Sequence, residues 1–291
     1  MSHAERGFSL VEVMVATVLM SMAMSVAGAF FVASRNAVSD EMARQETVQG
    51  LRATLDTLER DLRLGGACLP TTGNDFPPLS GTNAGTLDGF TSRTALVRSD
   101  LTCIQSAIKA ASPATGIAVG ATTLPLQSVN SFAAGQRAYI RGANNSGEYF
   151  NISGVSTSTK TLTITSGLLA AYLNGSGVWA IDERAYAINA TTYAPLTVLT
   201  IAANGASPVP FAYGIQSVNV QYKLISNCPP CDTVDLPSAA QWSLVNQLYI
   251  NVTMKSQKPL SNGQYYTVSG SIGAKPRNLL PGTQVLGTTP S

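Results

Sequence analysis

From Phe8 to Ala33 the chain is predominantly apolar and carries a single formal charge, Glu12, close to its start. A helix of those 26 residues is long enough to cross a hydrocarbon layer of about 30 Å, so the stretch predicts a membrane-spanning helix. The helical pattern continues beyond it without proline. Val48, Leu51, Leu55, Leu58 and Leu62 recur at spacings of three and four, while Arg52, Asp56, Glu59, Arg60, Asp61 and Arg63 fill the other faces. This second half is therefore amphipathic. Gly65-Gly66 marks its end. One continuous helix over 8–64, about 85 Å long at about 1.5 Å per residue, is the expected first element. Gly28 and Gly50 are its weak points.

Periodicity changes after the glycines. Residues 65–92 are rich in Gly, Pro, Thr and Asn and predict a surface loop, followed by a short strand at Thr94–Arg98, so that 65–111 joins the helix to the head. From 112 to 182 short β segments recur at Thr123–Leu126, Gln136–Ile140, Glu148–Ile152, Leu162–Ile164 and Val178–Ile181, separated by turn signals such as Asn174-Gly175-Ser176-Gly177. They predict a self-contained all-β insertion. Over 183–291 the strands lengthen. Val218, Val220, Tyr222 and Leu224 alternate with polar residues, as do Leu248, Ile250, Val252 and Met254, and Tyr265–Ile272 supplies a third strand before a tail. Period-two alternation predicts a half-buried antiparallel sheet. The expected class is α+β: a long N-terminal α-helix, membrane-spanning in its first half and packed by its second on an antiparallel β-sheet head, with a small all-β insertion.

Charge narrows the functions available. Only 12% of the 291 residues are charged, against a typical quarter, and the net charge is +2 with no basic run. Nucleic acid as a partner has no electrostatic footprint here. Arg6 and His3 precede the apolar run while Arg35 and Arg44 follow it, so charge alone sets no direction of insertion. Beyond Arg63, the prevalence of Gly, Ser, Thr and Asn suits an extracytoplasmic β protein. The four cysteines, Cys68, Cys103, Cys228 and Cys231, all lie there, and an even count in an oxidising compartment predicts two disulfides with three possible pairings. The Pro-Pro loop brings Cys228 close to Cys231, and pairing Cys68 with Cys103 would close the long loop. No thioredoxin-like βαβ pattern surrounds Cys228-Pro-Pro-Cys231, and Cys68 and Cys103 lack the paired spacing of a zinc site. Asp232 and Asp235 stand near each other without an EF-hand pattern. No phosphate loop is present, and Asp182-Glu183, adjacent at a strand end, point to opposite faces. No metal site and no cofactor are expected.

Ser9-x-x-Glu12 has the form of a helix capping box. In its setting, behind a short polar leader, the run Arg6-Gly7-Phe8-Ser9-Leu10-Val11-Glu12 also resembles the class III signal of type IV prepilins. That resemblance implies cleavage after Gly7 by a prepilin peptidase, a mature chain whose N-terminal Phe8 is methylated, and Glu12 as the carboxylate used in assembly. It implies an inner-membrane protein with a single span and a periplasmic head, which joins other pilins through its N-terminal helix in an extracellular pilus. Cleavage would remove His3, the one histidine, and with it Ser–His and Cys–His mechanisms, so no enzyme is expected. Phe132-Ala133-Ala134-Gly135-Gln136 resembles a turn of small β-barrel-like modules found as insertions in surface proteins. The long head, the strand ending at Tyr222, the loop with Trp242 and the run Arg277-Asn278-Leu279 resemble the PilW type of minor pilin. The implied role is a structural subunit at or near the filament tip that primes assembly. The alternatives are a J-type pseudopilin of a type II secretion system, or a tip adhesin whose insertion binds a surface ligand.

Overall fold

A computed structural model describes residues 9–70, 78–100, 102–110, 116–143, 147–225, 233–238 and 241–276. Its first element is α1, a 55-residue helix over Leu10–Leu64. Ser9 is the N-cap, but its hydroxyl makes no capping hydrogen bond, and Glu12 N and Val13 N donate to the Ser9 carbonyl instead. The capping box is thus not formed. At the other end Gly65 N returns to Leu62 O, and Gly66 adopts a positive φ of 78°, which glycine takes without a Cβ penalty.

Among the described residues fourteen strands follow: β1 Leu79–Thr82, β2 Gly89–Ala95, β3 Gln105–Ala107, β4 Thr123–Pro125, β5 Arg137–Arg141, β6 Gly147–Ser156, β7 Thr161–Ile164, β8 Gly177–Asn189, β9 Val198–Ala203, β10 Val209–Tyr213, β11 Ile215–Leu224, β12 Thr233–Val234, β13 Val245–Lys255 and β14 Thr267–Ala274. β12-β11-β13-β14 form a four-stranded antiparallel sheet, and the other ten form a second, larger sheet. The alternation of Val218 to Leu224 and of Leu248 to Met254 falls on β11 and β13, whose apolar members are buried against Leu51, Leu58 and Leu62 of α1. Gly270 in β14 permits the closest approach: a Cβ there would stand 2.7 Å from Leu55 Cδ1 and 3.2 Å from Leu51 Cδ2, so the helix rests on bare backbone.

β8 is the spine of the larger sheet. Its first residues, Gly177–Trp179, lie between β3 and β5, and its later ones, Arg184–Tyr186, lie between β2 and β9. Side chains change core along it. Val178 and Ala180 belong to a core with Leu124, Phe150 and Leu162, Ile181 belongs to a small cluster with Leu69 and Tyr139, and Tyr186 joins the helix leucines. The expected β insertion therefore has a core of its own, while the backbone of its last strand runs on through position 182. Its core also draws in Ile104 and Ile108, ahead of position 112.

Two other expectations differ from the structure. The stretch 65–92, expected as a loop, contains β1 and the start of β2, which pair as a hairpin. Phe90 is the one large apolar residue of β2, so composition hid the strand. The strand expected at Thr94–Arg98 is the end of β2 plus an isolated bridge from Val97 to Cys103. The β9–β10 hairpin was not foreseen from its short segments.

Candidate functional site

Glu12 stands in the first turn of α1, exposed. Along this half the helix presents exposed apolar side chains: Leu10 is 78% exposed and Phe30 is 76% exposed, and among the described residues nothing covers it. It is long and apolar enough to cross a membrane. Gly7 and Phe8 lie outside the described residues, as do Cys228, Cys231, Asp232 and the Arg277-Asn278-Leu279 run. Among the described residues no group of His, Cys, Asp and Glu is arranged to hold a metal ion.

The helix is fixed to the head at two levels. Near the membrane-spanning half, Asp40 accepts hydrogen bonds from Ser261 N at 2.8 Å and from Ser261 Oγ at 2.6 Å, and the Arg44 guanidinium lies over the Tyr266 ring. The Ser261 hydroxyl, then its amide, hold the Asp40 carboxyl below the usual aspartate range. At the far end Asp61 turns inward. Its side chain, 3% exposed, accepts from Tyr186 Oη at 2.6 Å and from both contacts of Arg184 Nη1 at 3.0 and 3.1 Å. Spacing placed Asp61 among the polar faces of the helix, but the fold uses it as the clamp between helix end and β8.

On the far side of β8, Glu183 is buried between Arg93 of β2 and Arg137 of β5, with the ring of Tyr149 from β6 beneath both guanidiniums. Asp182 points to the opposite face, where it meets Arg184, as the strand alternation predicts. Both carboxylates are engaged in ion pairs. At the rim of the insertion, the Glu148 carboxylate accepts from the amides of Leu169 and Ala170, so that Leu169 projects with 83% of its surface exposed.

A match to a family model falls on the same N-terminal region. The family model described as the prokaryotic N-terminal methylation motif matches residues 2–28. The pilin-like protein PilA3 of Thermus thermophilus is 32% identical over 94 residues, covering 30% of this chain and 40% of that relative. The chain thus carries a prepilin-type methylation motif and is similar to a pilin-like protein. The exposed apolar helix and the matched motif fit a membrane anchor ahead of assembly. The match spans well under two thirds of the relative, and a PilW-type assignment rests on the resemblance alone.

In this chain Cys68 and Cys103 form a disulfide, with Cα atoms 6.1 Å apart and a sequence separation of 35. The bond ties the turn after α1 to the entrance of the insertion, beside the Leu69 and Ile181 cluster. Replacing both cysteines with serine is expected to lower stability by about 2–4 kcal/mol, chiefly through a freer unfolded chain. Urea titration of the detergent-solubilised protein measures it, and an unchanged midpoint would leave the bond without a stabilising role.

Proposed function

We propose that the chain is a minor pilin of a type IV pilus, a structural subunit that primes assembly at or near the filament tip. The observation that carries this reading is Glu12: a lone carboxylate in the first turn of an uncovered apolar helix, inside the matched methylation motif. A carboxylate costs about 2.5–3.5 kcal/mol at the centre of a membrane helix and less near its edge, so its retention there calls for a partner. Cleavage after Gly7 would give Phe8 a positive α-amine, and the Glu12 of one subunit would compensate the amine of its neighbour. In low dielectric each charge favours the other, and leaving either alone is costly. Assembly through the N-terminal helices then carries the head from the periplasmic side of the inner membrane to the extracellular pilus. An all-β insertion in the head favours a specialised subunit over a repeating one.

Glu12→Gln tests the reading. The variant is expected to insert in the membrane and to be cut after Gly7 like the parent, because it makes the helix more apolar and leaves the cut site alone. Its incorporation into filaments should fall by about tenfold or more, the effect of an uncompensated charge. N-terminal sequencing follows the cleavage and immunoblotting of sheared pili follows incorporation. Normal incorporation of the cleaved variant would reduce Glu12 to a local helix residue. Deletion of the gene that abolished protein secretion and spared pili would move the chain to the pseudopilins.

A further inference from the structure

A lone carboxylate in a membrane helix costs least near an edge, so before a neighbour compensates it Glu12 belongs at one headgroup boundary. From there the 20 residues 13–32 rise about 30 Å, which matches the thickness of a hydrocarbon core. The other boundary then falls at Ala33, and α1 runs on through it as one helix. Asp40 stands seven residues, about 10 Å, beyond that boundary. The head is fastened at this level, because Ser261 donates both its amide and its hydroxyl to the Asp40 carboxylate.

Ser261 lies in the turn that joins β13 to β14. Gly263 N donates to Leu260 O and Leu260 N to Gln264 O, which closes the turn tightly. Arg44, one helical turn above Asp40, covers the Tyr266 ring, so the turn points down α1 towards the apolar run. No charge occurs from Pro259 to Gln264, while Lys258 precedes this stretch and Tyr265 follows it. The Tyr265 ring is half-exposed and lies 5.3 Å from Lys255 Nζ. At the same level Val38 and Met42 of α1 are exposed apolar residues outside the apolar run. Three bases, Arg35, Arg44 and Lys258, stand here with two acids, Glu41 and the Asp40 already held by Ser261.

The headgroup layer takes up about 5–7 Å of the distance from Ala33 to Asp40, which leaves a gap that the side chains of the turn can cross. Lysine and tyrosine suit this layer, since each joins an apolar body to a polar end. We propose that the β13–β14 turn is a docking surface for the phospholipid headgroups of the membrane that α1 spans, with Lys258 and Arg35 on their phosphates and the Tyr265 ring among them. The proposal rests on the reading of α1 as a membrane anchor before assembly. Lipid is the partner because α1 itself brings the bilayer to this level, whether or not another subunit is present. A single helix leaves the head free to turn about its axis, whereas a second contact beside it fixes the head against the bilayer. Entry into a filament breaks that contact.

The test uses the full chain in vesicles of phosphatidylethanolamine with a minority of phosphatidylglycerol, doped with lipid that carries a nitroxide on its headgroup. A fluorescent amino acid replaces Asn262 in one sample and Leu64, exposed at the far end of α1, in another. Flotation first establishes that the vesicles hold the chain. Fluorescence at position 262 should be quenched severalfold more than at position 64. Lys258→Glu with Tyr265→Ser should cut the quenching at 262 about fivefold, the effect of losing a base near an anionic surface, while flotation and the Cys68–Cys103 disulfide persist. Should that pair disturb the hairpin, Arg35→Glu leaves the head untouched and should act in the same direction. Equal quenching at the two positions in chains that float, or unchanged quenching in the folded variants, would overturn the proposal alone. A chain that does not float would strike the anchor reading itself, and the proposal with it.

Discussion

With Asp61 replaced by alanine, the detergent-solubilised chain is expected to be less stable by about 3–5 kcal/mol, the usual cost of breaking a buried ion pair from one side. Asp61 serves Arg184 and Tyr186 together. Arg184 is partly exposed and can turn to water, which lowers its share of the cost, but the Tyr186 hydroxyl is buried and would be orphaned, at about 1–3 kcal/mol. Asp61→Asn keeps an acceptor for Tyr186 and loses the charge, so a smaller effect is expected. The clamp also sets a pH limit. Burial, and then the hydrogen bond to Asp61, push the Tyr186 phenol above its ordinary value of 10.0. The folded state therefore favours the protonated phenol. That stabilisation is whole below pH about 10 and is lost as pH rises towards the folded value. Urea midpoints measured from neutral to alkaline pH should converge for the parent and Tyr186→Phe as the pH climbs. An Asp61→Ala midpoint equal to the parent's would show that the clamp carries no stability.

Asp61 also shows where the sequence was legible and where it was not. Its spacing of three from Leu58 places it beside the buried stripe, yet its charge assigned it to the solvent face. A carboxylate at a core-spaced position was the available signal. The long helix and the strands of Val218–Leu224 and Leu248–Met254 were readable because one-sided burial imposes a period on many successive residues. β1 was not, because Leu-Ser-Gly-Thr carries too few apolar residues to show a period, and β9 was not, because its apolar residues, Val198, Leu199 and Ile201 among them, do not alternate. Turn signals marked most strand ends of the insertion, but they could not reveal that β8 continues into the head. That continuation depends on pairing with β2, which is distant in sequence, as well as with the following strand β9. The outward Glu12 was visible at once, since a lone charge in an apolar run stands out against any background.

Because β8 is shared, the join between head and insertion should depend on the charges built across it, and Glu183 holds the centre of that join. Its carboxylate, 7% exposed, receives Arg93 Nε on one oxygen and lies 3.0 Å from Arg137 Nε on the other. Its backbone amide bonds to the Asn204 side chain, which fixes the strand on the β9 side as well. Glu183→Ala would leave two guanidiniums facing each other over the Tyr149 ring with no anion between them. The expected loss is about 3–5 kcal/mol, from like-charge repulsion added to unpaired burial. Its distribution should be uneven. Leu124, Phe150 and Leu162 form a core that does not contain Glu183, so the insertion should keep its own melting transition while the head melts earlier. Calorimetry should then resolve two transitions in place of a cooperative one, and hydrogen exchange should quicken in β2 and β9 before β6 and β7. Arg93→Ala combined with Glu183→Ala is expected to cost less than the two single changes added together, since the double variant removes a repelling cation with its anion. A single transition at the parental temperature in Glu183→Ala would mean that the backbone of β8 alone joins the two cores.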